Sequence, residues 1–271
     1  MKKILAIVVT YYPERDLLEK NISAYIEYVD KVLIWENTPS DVKLQYRFVD
    51  HKKVEYCGDG INSISHALNY AWKYAQKHGY DYLLTMDQDS LWGDFYAYIM
   101  QTVYNTETPS GIWGPNAYDE NVSYEILEFE KIITSGMLLK VDLIDYIGGW
   151  NESFPVDCVD DEFCLRANRK GIKSYILGKC LLRQQYGAPK NVSFLGHSAT
   201  ITYDSPRRLY SIYRSHVILL RLFPEVKCIK TEFWGYWVPQ IKWYVFRGTK
   251  PVSNLYAIFR GVLEGFVCKL N

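Results

Sequence analysis

The stretch ILAIVVT, residues 4–10, is seven apolar or β-branched residues in a row, with no polar alternation. A strand of that kind is buried on both faces, which places it inside a parallel sheet covered by helices. The segment after it, PERDLLEKNISAYIEYV, sets Leu17, Leu18, Ile22, Tyr25 and Ile26 at helical spacing behind a proline, and predicts a helix. KVLIWEN and KKVEYC then read as strands, SISHALNYAWKYAQKHG as a helix closed by Gly79, and YDYLLTMD as a further strand. Strands alternating with helices are the pattern of an open α/β sheet. Such sheets hold ligands beyond the carboxyl ends of their strands. Thr10-Tyr11-Tyr12, Glu36-Asn37, Asp59 and Asp87-Gln88-Asp89 all fall there. No GxGxxG follows the first strand and no GxxxxGK[ST] occurs. A nucleotide held here is therefore gripped by side chains, carbonyls and a metal.

Asp87 and Asp89 close an otherwise apolar strand, where a lone buried charge is costly. Two readings fit the pair. Asp, Gln and Ser commonly turn a chain after a strand, and two carboxylates also match a divalent cation carrying a phosphate ligand. The convergence of four strand ends on one crevice favours the cation. A second acidic group, Asp157, Asp160, Asp161 and Glu162, crowds the start of a helix predicted within PVDCVDDEFCLRANRKG. Acids suit the positive end of a helix, so capping explains any one of them. As a group, like charge and partial burial raise carboxylate proton affinity, which is the tuning a general base needs. A metal-suited acid pair and a separate carboxylate base are the parts of metal-assisted group transfer.

Between these clusters, GIWGPNAYD and FEKIITSGMLLKVD read as short strands around turns. From Pro206 on, RRLYSIYRSHVILLRLF, EFWGYWVPQIKWYVF and NLYAIFRGVLEGFVC read as three helices. Net charge is zero, but residues 207–271 hold eleven Lys or Arg against three Glu, which leaves the first 206 residues net acidic. An acidic body fits a metal site and a basic tail fits an anionic partner. The tail's aromatics, interleaved with Lys242, Arg247, Lys250 and Arg260, fit equally a helical core and a helix pair lying on an anionic membrane surface. No run reaches the length needed to span a bilayer. Six cysteines without a CxxC pair read as reduced thiols, and MKKILAIVVTYYPER reads as a first strand with no cleavage site, so a cytoplasmic location is expected, peripheral to the inner face of the membrane if the tail binds it. The five histidines are scattered without ligand spacing. Of these, His197 is kept as a candidate acceptor or metal contact.

In order along the chain, VVTYYPE, ENTPS, SISHALNYA, LLTMDQDS, GP, ITSGMLLKVD, IGGWNESFPVDCVDDEFCLRA and SPRRLYSIYR resemble the family 2 inverting glycosyltransferases, and most closely their rhamnosyltransferase branch. The resemblance runs from residue 4 to about residue 215. It implies a GT-A fold: a Rossmann-like mixed sheet flanked by helices, with a nucleotide-sugar-binding half over 1–90 and an acceptor-binding, catalytic half over 91–205. A C-terminal helical extension over 206–271 follows. It implies a UDP- or dTDP-sugar donor, a lipid-linked or oligosaccharide acceptor, and Mg²⁺ or Mn²⁺. No nucleic acid partner is expected.

By the same resemblance, Thr10, Tyr11 and Pro13 meet the nucleoside base, and Glu36 and Asn37 flank base and ribose. Asn69 joins the nucleotide site, as Asp59 does from its place at a strand end, and Asp87 and Asp89 serve the metal and diphosphate, with Asp89 the direct ligand. Asp160 falls on the base, with Asp161 in reserve and Glu162 helping to hold the acceptor. Arg208 and Arg214 match arginines that suit a diphosphate. The chain departs from the family at Ser63 (for glycine), Gln184 (for a histidine that serves as a metal partner) and Ser215 (for asparagine). The alternatives are a metal-dependent phosphatase or hydrolase and a non-catalytic glycan-binding protein. A phosphatase with an aspartyl nucleophile wants Thr or Val where Leu91 stands and has its motif earlier in the chain, and a glycoside hydrolase, though it also uses two carboxylates, needs no nucleotide crevice.

Overall fold

Parallel strands organise the first part of the molecule, seen in a computed structural model that describes residues 2–39, 51–117, 125–184, 190–194, 196–202 and 205–270. The chain divides into two compact units, 1–185 and 186–271. The first begins with β1 (Ile4–Thr10), α1 (Arg15–Ser23), β2 (Lys31–Glu36), β3 (Val54–Cys57), α2 (Ile64–His78) and β4 (Tyr82–Asp87). It continues through β5 (Leu91–Trp92), α3 (Phe95–Ile99), β6 (Ile112–Asn116), β7 (Ile126–Glu128) and β8 (Met137–Lys140). It closes with α4 (Val141–Ile147), α5 (Val159–Arg169) and β9 (Ser174–Arg183).

The sheet runs β3-β2-β1-β4-β8-β6-β9-β5, with β7 beside β9. β3, β2, β1 and β4 are parallel, whereas β8 is antiparallel to both β4 and β6. This is the mixed α/β sheet expected from the sequence. The uninterrupted strands are covered on both sides: Leu5, Ala6 and Ile7 are wholly buried, as are Val32, Leu33, Leu83 and Leu84. Register then decides where the polar ends lie. Thr10 pairs with Glu36 and Val9 with Asp87, so three strand ends finish at one edge. Gly58 carries β3 into the same edge at φ 152°, and a Cβ there would lie 2.6 Å from the Glu36 carbonyl oxygen.

Two details differ from the sequence reading. The first helix stops at Ser23, and a single 3-10 turn over Ile26–Tyr28 follows. The Ser23 hydroxyl bonds back to the Lys20 carbonyl, a local alternative to helical continuation, and Tyr25 turns wholly inward. Ser63, which replaces a family glycine, caps α2 by accepting a hydrogen bond from the His66 amide at 3.2 Å. It gives that helix a start that glycine provides less well.

The second unit holds the hairpin β10 (Lys190–Phe194) and β11 (His197–Ile201), then α6 (Pro206–Leu222), α7 (Lys227–Glu232), α8 (Val238–Phe246) and α9 (Pro251–Val267). It starts before residue 206 because the hairpin packs with the helices: Val192 and Ile201 share a core with Leu209, Tyr213 and Trp243. A π-helical turn over Phe233–Trp237 joins α7 to α8, so the three expected helices are present in substance. α9 lies hard against α6. A Cβ on Gly261 would sit 2.5 Å from the Tyr210 carbonyl oxygen, and one on Gly265 2.8 Å from Val217 Cβ. Gly261→Val is expected to force the helices apart and destabilise the protein by about 1–3 kcal/mol. Chemical denaturation measures this, and an unchanged midpoint would show the contact to be slack.

Candidate active site

The carboxyl edge of the parallel strands is tied together by neutral polar groups. The Tyr11 amide donates to Gln88 Oε1 at 2.7 Å, and Gln88 Nε2 returns a bond to the Tyr11 carbonyl at 3.2 Å. These two bonds fasten the end of β1 to the loop after β4. Thr10 Oγ1 donates to the Trp35 carbonyl, and the Asn37 amide donates to that of Thr10. Asn37 Oδ1 accepts from the Trp35 indole at 3.0 Å. Tyr12, at φ 48°, donates its amide to Thr38 Oγ1 at 2.9 Å. The rings of Tyr11 and Tyr12 stand edge to face at 4.7 Å and are both exposed, with half-buried Pro13 next to them. They form an open aromatic surface beside the half-buried Glu36 at the end of β2.

Asp87 and Asp89 occupy the middle of this edge. Asn21 is buried on α1 and donates Nδ2 to the carbonyls of Asp87 and Ser90. The Asp87 amide donates to Ser135 Oγ at 3.2 Å, and Ser135 donates to Ser90 Oγ at 2.8 Å. Gln184, just past β9, donates Nε2 to Asp87 Oδ2 at 2.6 Å. Its own Oε1 is buried and accepts no hydrogen bond among the described residues. Burial pushes the proton affinity of Asp89 up. Among the described residues no three His, Cys, Asp or Glu side chains gather as a cage. The local donors are two carboxylates and an orphaned amide oxygen, all hard oxygens. That set fits Mg²⁺ or Mn²⁺ completed by substrate phosphate and water, and does not fit a metal enclosed by protein alone.

The segment Thr134-Ser135 links this acid pair to the second cluster. Ser135 holds the Asp87 amide, while its neighbour Thr134 donates its own amide to Asp160 Oδ2 at 3.1 Å. Thr85 of β4 anchors the same segment by donating Oγ1 to the Thr134 carbonyl. Asp160 opens α5 behind Cys158, which adopts φ 60°. Tyr12 and Cys158 are the non-glycine residues with positive φ among the described residues. Both border the candidate site, where such strain tends to collect.

The three acids of α5 have separate surroundings. Asp160 is half-buried, and its carboxyl is pushed up to about 6, first by burial and then by the neighbouring Asp161. Amide bonds from Asp161 and Thr134 oppose that rise. Asp161 pairs with Lys131 at 3.2 Å. Glu162 is 2% exposed and forms a two-pronged pair with Arg166, at 2.8 and 3.0 Å. The same guanidinium binds the carbonyls of Ile147 and Gly149. Glu162 thus ties α5 to the end of α4, and its carboxylate is committed inside the protein.

Asp59 and Asn69 belong to a third group. His66 contacts Asp59 at 2.8 Å and Glu152 at 3.4 Å. Asn69 donates to Glu152 and to the Trp150 carbonyl, both at 2.9 Å. Arg208, Arg214 and His197 lie in the second unit. Arg208 sits in the first turn of α6, its amide bonded to the cap Ser205; Arg214 reaches Cys268 Sγ at 3.7 Å; His197 is exposed on β11. None of the six cysteines is in a disulfide. Sequence reasoning did not single out Asn21, Ser135, Lys131 or Glu152. Each becomes meaningful only when its partner, far along the chain, is brought beside it. The engagement of Glu162 was readable, because Arg166 lies four residues on along the same helix.

No family model matches the chain. A dTDP-rhamnosyl transferase, RfbF, of Shigella flexneri is 27% identical over 241 residues, 80% of each chain. Among solved structures, the crystal structure of GalNAc-T7 with UDP, GalNAc and Mn²⁺ aligns with a TM-score of 0.59 over 81% of this chain, at 9% identity. The chain spans 48% of that structure's length, so this likeness speaks for the fold. Mixed sheet and sequence similarity agree: the chain has the GT-A fold of glycosyltransferases and is rhamnosyltransferase-like in sequence.

Proposed function

We propose that the chain moves rhamnose, or a related hexose, from a dTDP-linked donor to a hydroxyl of a surface-glycan acceptor, with inversion at the anomeric carbon. The observation that carries this reading is the two-residue bridge Thr134-Ser135. It holds the acid suited to the leaving diphosphate and the acid suited to deprotonation on adjacent residues of one anchored segment. An acceptor placed between them meets a base on one side and the departing group on the other. The dTDP donor is preferred because the Shigella relative is a dTDP-rhamnosyl transferase. The exposed Tyr11 and Tyr12 rings supply faces for the base, and their contact is sequence-tolerant stacking.

In this mechanism Asp160 accepts the acceptor's hydroxyl proton as that oxygen attacks the anomeric carbon. The bond from that carbon to the diphosphate oxygen breaks in the same displacement, so the products are the glycoside and dTDP. Asp160 then releases its proton to solvent. Asp161, though paired with Lys131, adds to burial in raising the proton affinity of Asp160, and Glu162 fixes the helix that carries it. Asp89 and Asp87, with Gln184 Oε1, would be the oxygen donors for Mg²⁺ or Mn²⁺, and the ion would offset charge on the departing diphosphate. The metal reading is supported by the Mn²⁺ of the GalNAc-T7 structure.

A single displacement inverts configuration. With dTDP-rhamnose, Mg²⁺ and a soluble glycan acceptor, the NMR spectrum of fresh product should show the anomer opposite to the donor's. A retained anomer removes Asp160 as base in one displacement. Failure of any sugar nucleotide to react removes the transferase reading.

A further inference from the structure

We infer that α9 docks the protein on an anionic lipid surface. The inference does not rest on the assignment of donor or base. α9 has two apolar faces. Its inner face, Asn254, Ala257, Ile258, Gly261 and Gly265, is buried. Along the opposite side stand Val252, Leu255, Phe259, Leu263, Phe266 and Val267, each roughly half exposed or more, with Val252 at 82% and Phe259 at 60%. At 100° per residue these six fall within one stripe about 120° wide. A stripe of large apolar side chains along some 25 Å of helix is more than a soluble surface normally leaves in water. No helix among the described residues is long and apolar enough to cross a membrane, so the stripe's geometry is that of a helix lying in the interface plane.

The charge around the stripe selects its occupant. Lys250 caps the start of α9 and Lys269 follows its end, both exposed. Arg247 adds a third exposed cation close before Lys250. The sole acid between residues 233 and 270 is Glu264, and it is occupied by Arg260 at 2.7 Å and by the Tyr210 hydroxyl. A second copy of the chain would set lysines against lysines whether the two helices ran parallel or antiparallel. An anionic headgroup layer meets the same cations with opposite charge while the acyl boundary takes the aromatic rings. Exposed Trp234, Tyr236 and Phe246, close by in sequence, add rings of the kind enriched at that boundary.

The test is sedimentation of the full chain with vesicles of pure phosphatidylcholine and of phosphatidylcholine containing phosphatidylglycerol. Binding is expected only to the anionic vesicles and should weaken at least several-fold between 0.1 and 0.5 M NaCl, as screening shortens the reach of the cations. Phe259→Glu combined with Phe266→Glu should lower binding about 100-fold with the melting temperature preserved. If that variant fails to fold, Arg247→Gln, Lys250→Gln and Lys269→Gln together leave the apolar stripe intact and should still cost about tenfold or more. Equal binding to neutral vesicles, or none to either, overturns the proposal. So does a concentration-dependent dimer in sedimentation velocity that the glutamate variant abolishes, because the stripe is then a contact between copies.

Discussion

Asp160→Asn is expected to lower the rate of transfer at pH 8 by roughly 10²- to 10⁴-fold, with donor affinity within about twofold of the parent. Asparagine keeps the shape and one of the two oxygens that accept amide bonds, but it takes up no proton. Wild-type kcat/KM should fall about tenfold per pH unit below about 6, where the carboxyl becomes protonated, and the variant's residual activity should lack that limb. Stability should move the other way. The folded carboxyl binds its proton more tightly than an unfolded aspartate does. Its contribution to stability is therefore fully present below about pH 4 and is lost as pH rises through about 6. The variant has no such loss, so its melting temperature should gain on that of the wild type between pH 4 and pH 8. One amide left without an acceptor works against the gain at every pH. A variant whose melting temperature falls further behind the wild type as pH rises would mean that Asp160 is stabilised as a carboxylate, and would remove it as the base.

Asp89→Asn is expected to reduce metal-dependent donor binding by 10²-fold or more and to abolish measurable turnover. The fold should survive, because burial already disfavours the charge at this position. The loop itself is held by Asn21, Ser135 and Gln88, none of which needs the Asp89 carboxylate. Calorimetry with dTDP alone and with dTDP plus Mg²⁺ separates the effects: the variant should bind the two alike, while the wild type prefers the pair. A variant that keeps the preference would return Asp87-Gln88-Asp89 to the status of a turn.

The strands were legible because their physics is local. A run such as residues 4–10 has no polar face, so it must be covered on both sides, and parallel pairing follows. Charge at the end of such a run was equally plain, and Asp87 and Asp89 needed no tertiary information to stand out. The support around them was not legible. Asn21 looked like one more polar residue on a helix, yet its amide reaches across 66 positions to the Asp87 carbonyl. Ser135 and Thr134 lay in a short stretch read as strand and turn and as one motif of the resemblance, with no role given to either side chain or amide. Lys131 separates the roles of Asp160 and Asp161 from thirty positions away, and spacing along one helix contains nothing of that. The break after Ser23 was hidden for another reason: helical spacing persists through Tyr25 and Ile26, but burial of the tyrosine ring draws the backbone out of the helix.

The pressing of α9 onto α6 through Gly261 and Gly265 separates two jobs that most helices perform with one surface. The fold is secured by the glycine side, where even a methyl group collides with the neighbouring backbone. The outward row of side chains takes no part in that contact, so it is free to change at little cost to folding. A lineage could rewrite where the enzyme resides, exchanging phenylalanine for glutamate or lysine along the outer row, and leave its chemistry untouched. Address and catalysis can then evolve as independent traits of one chain.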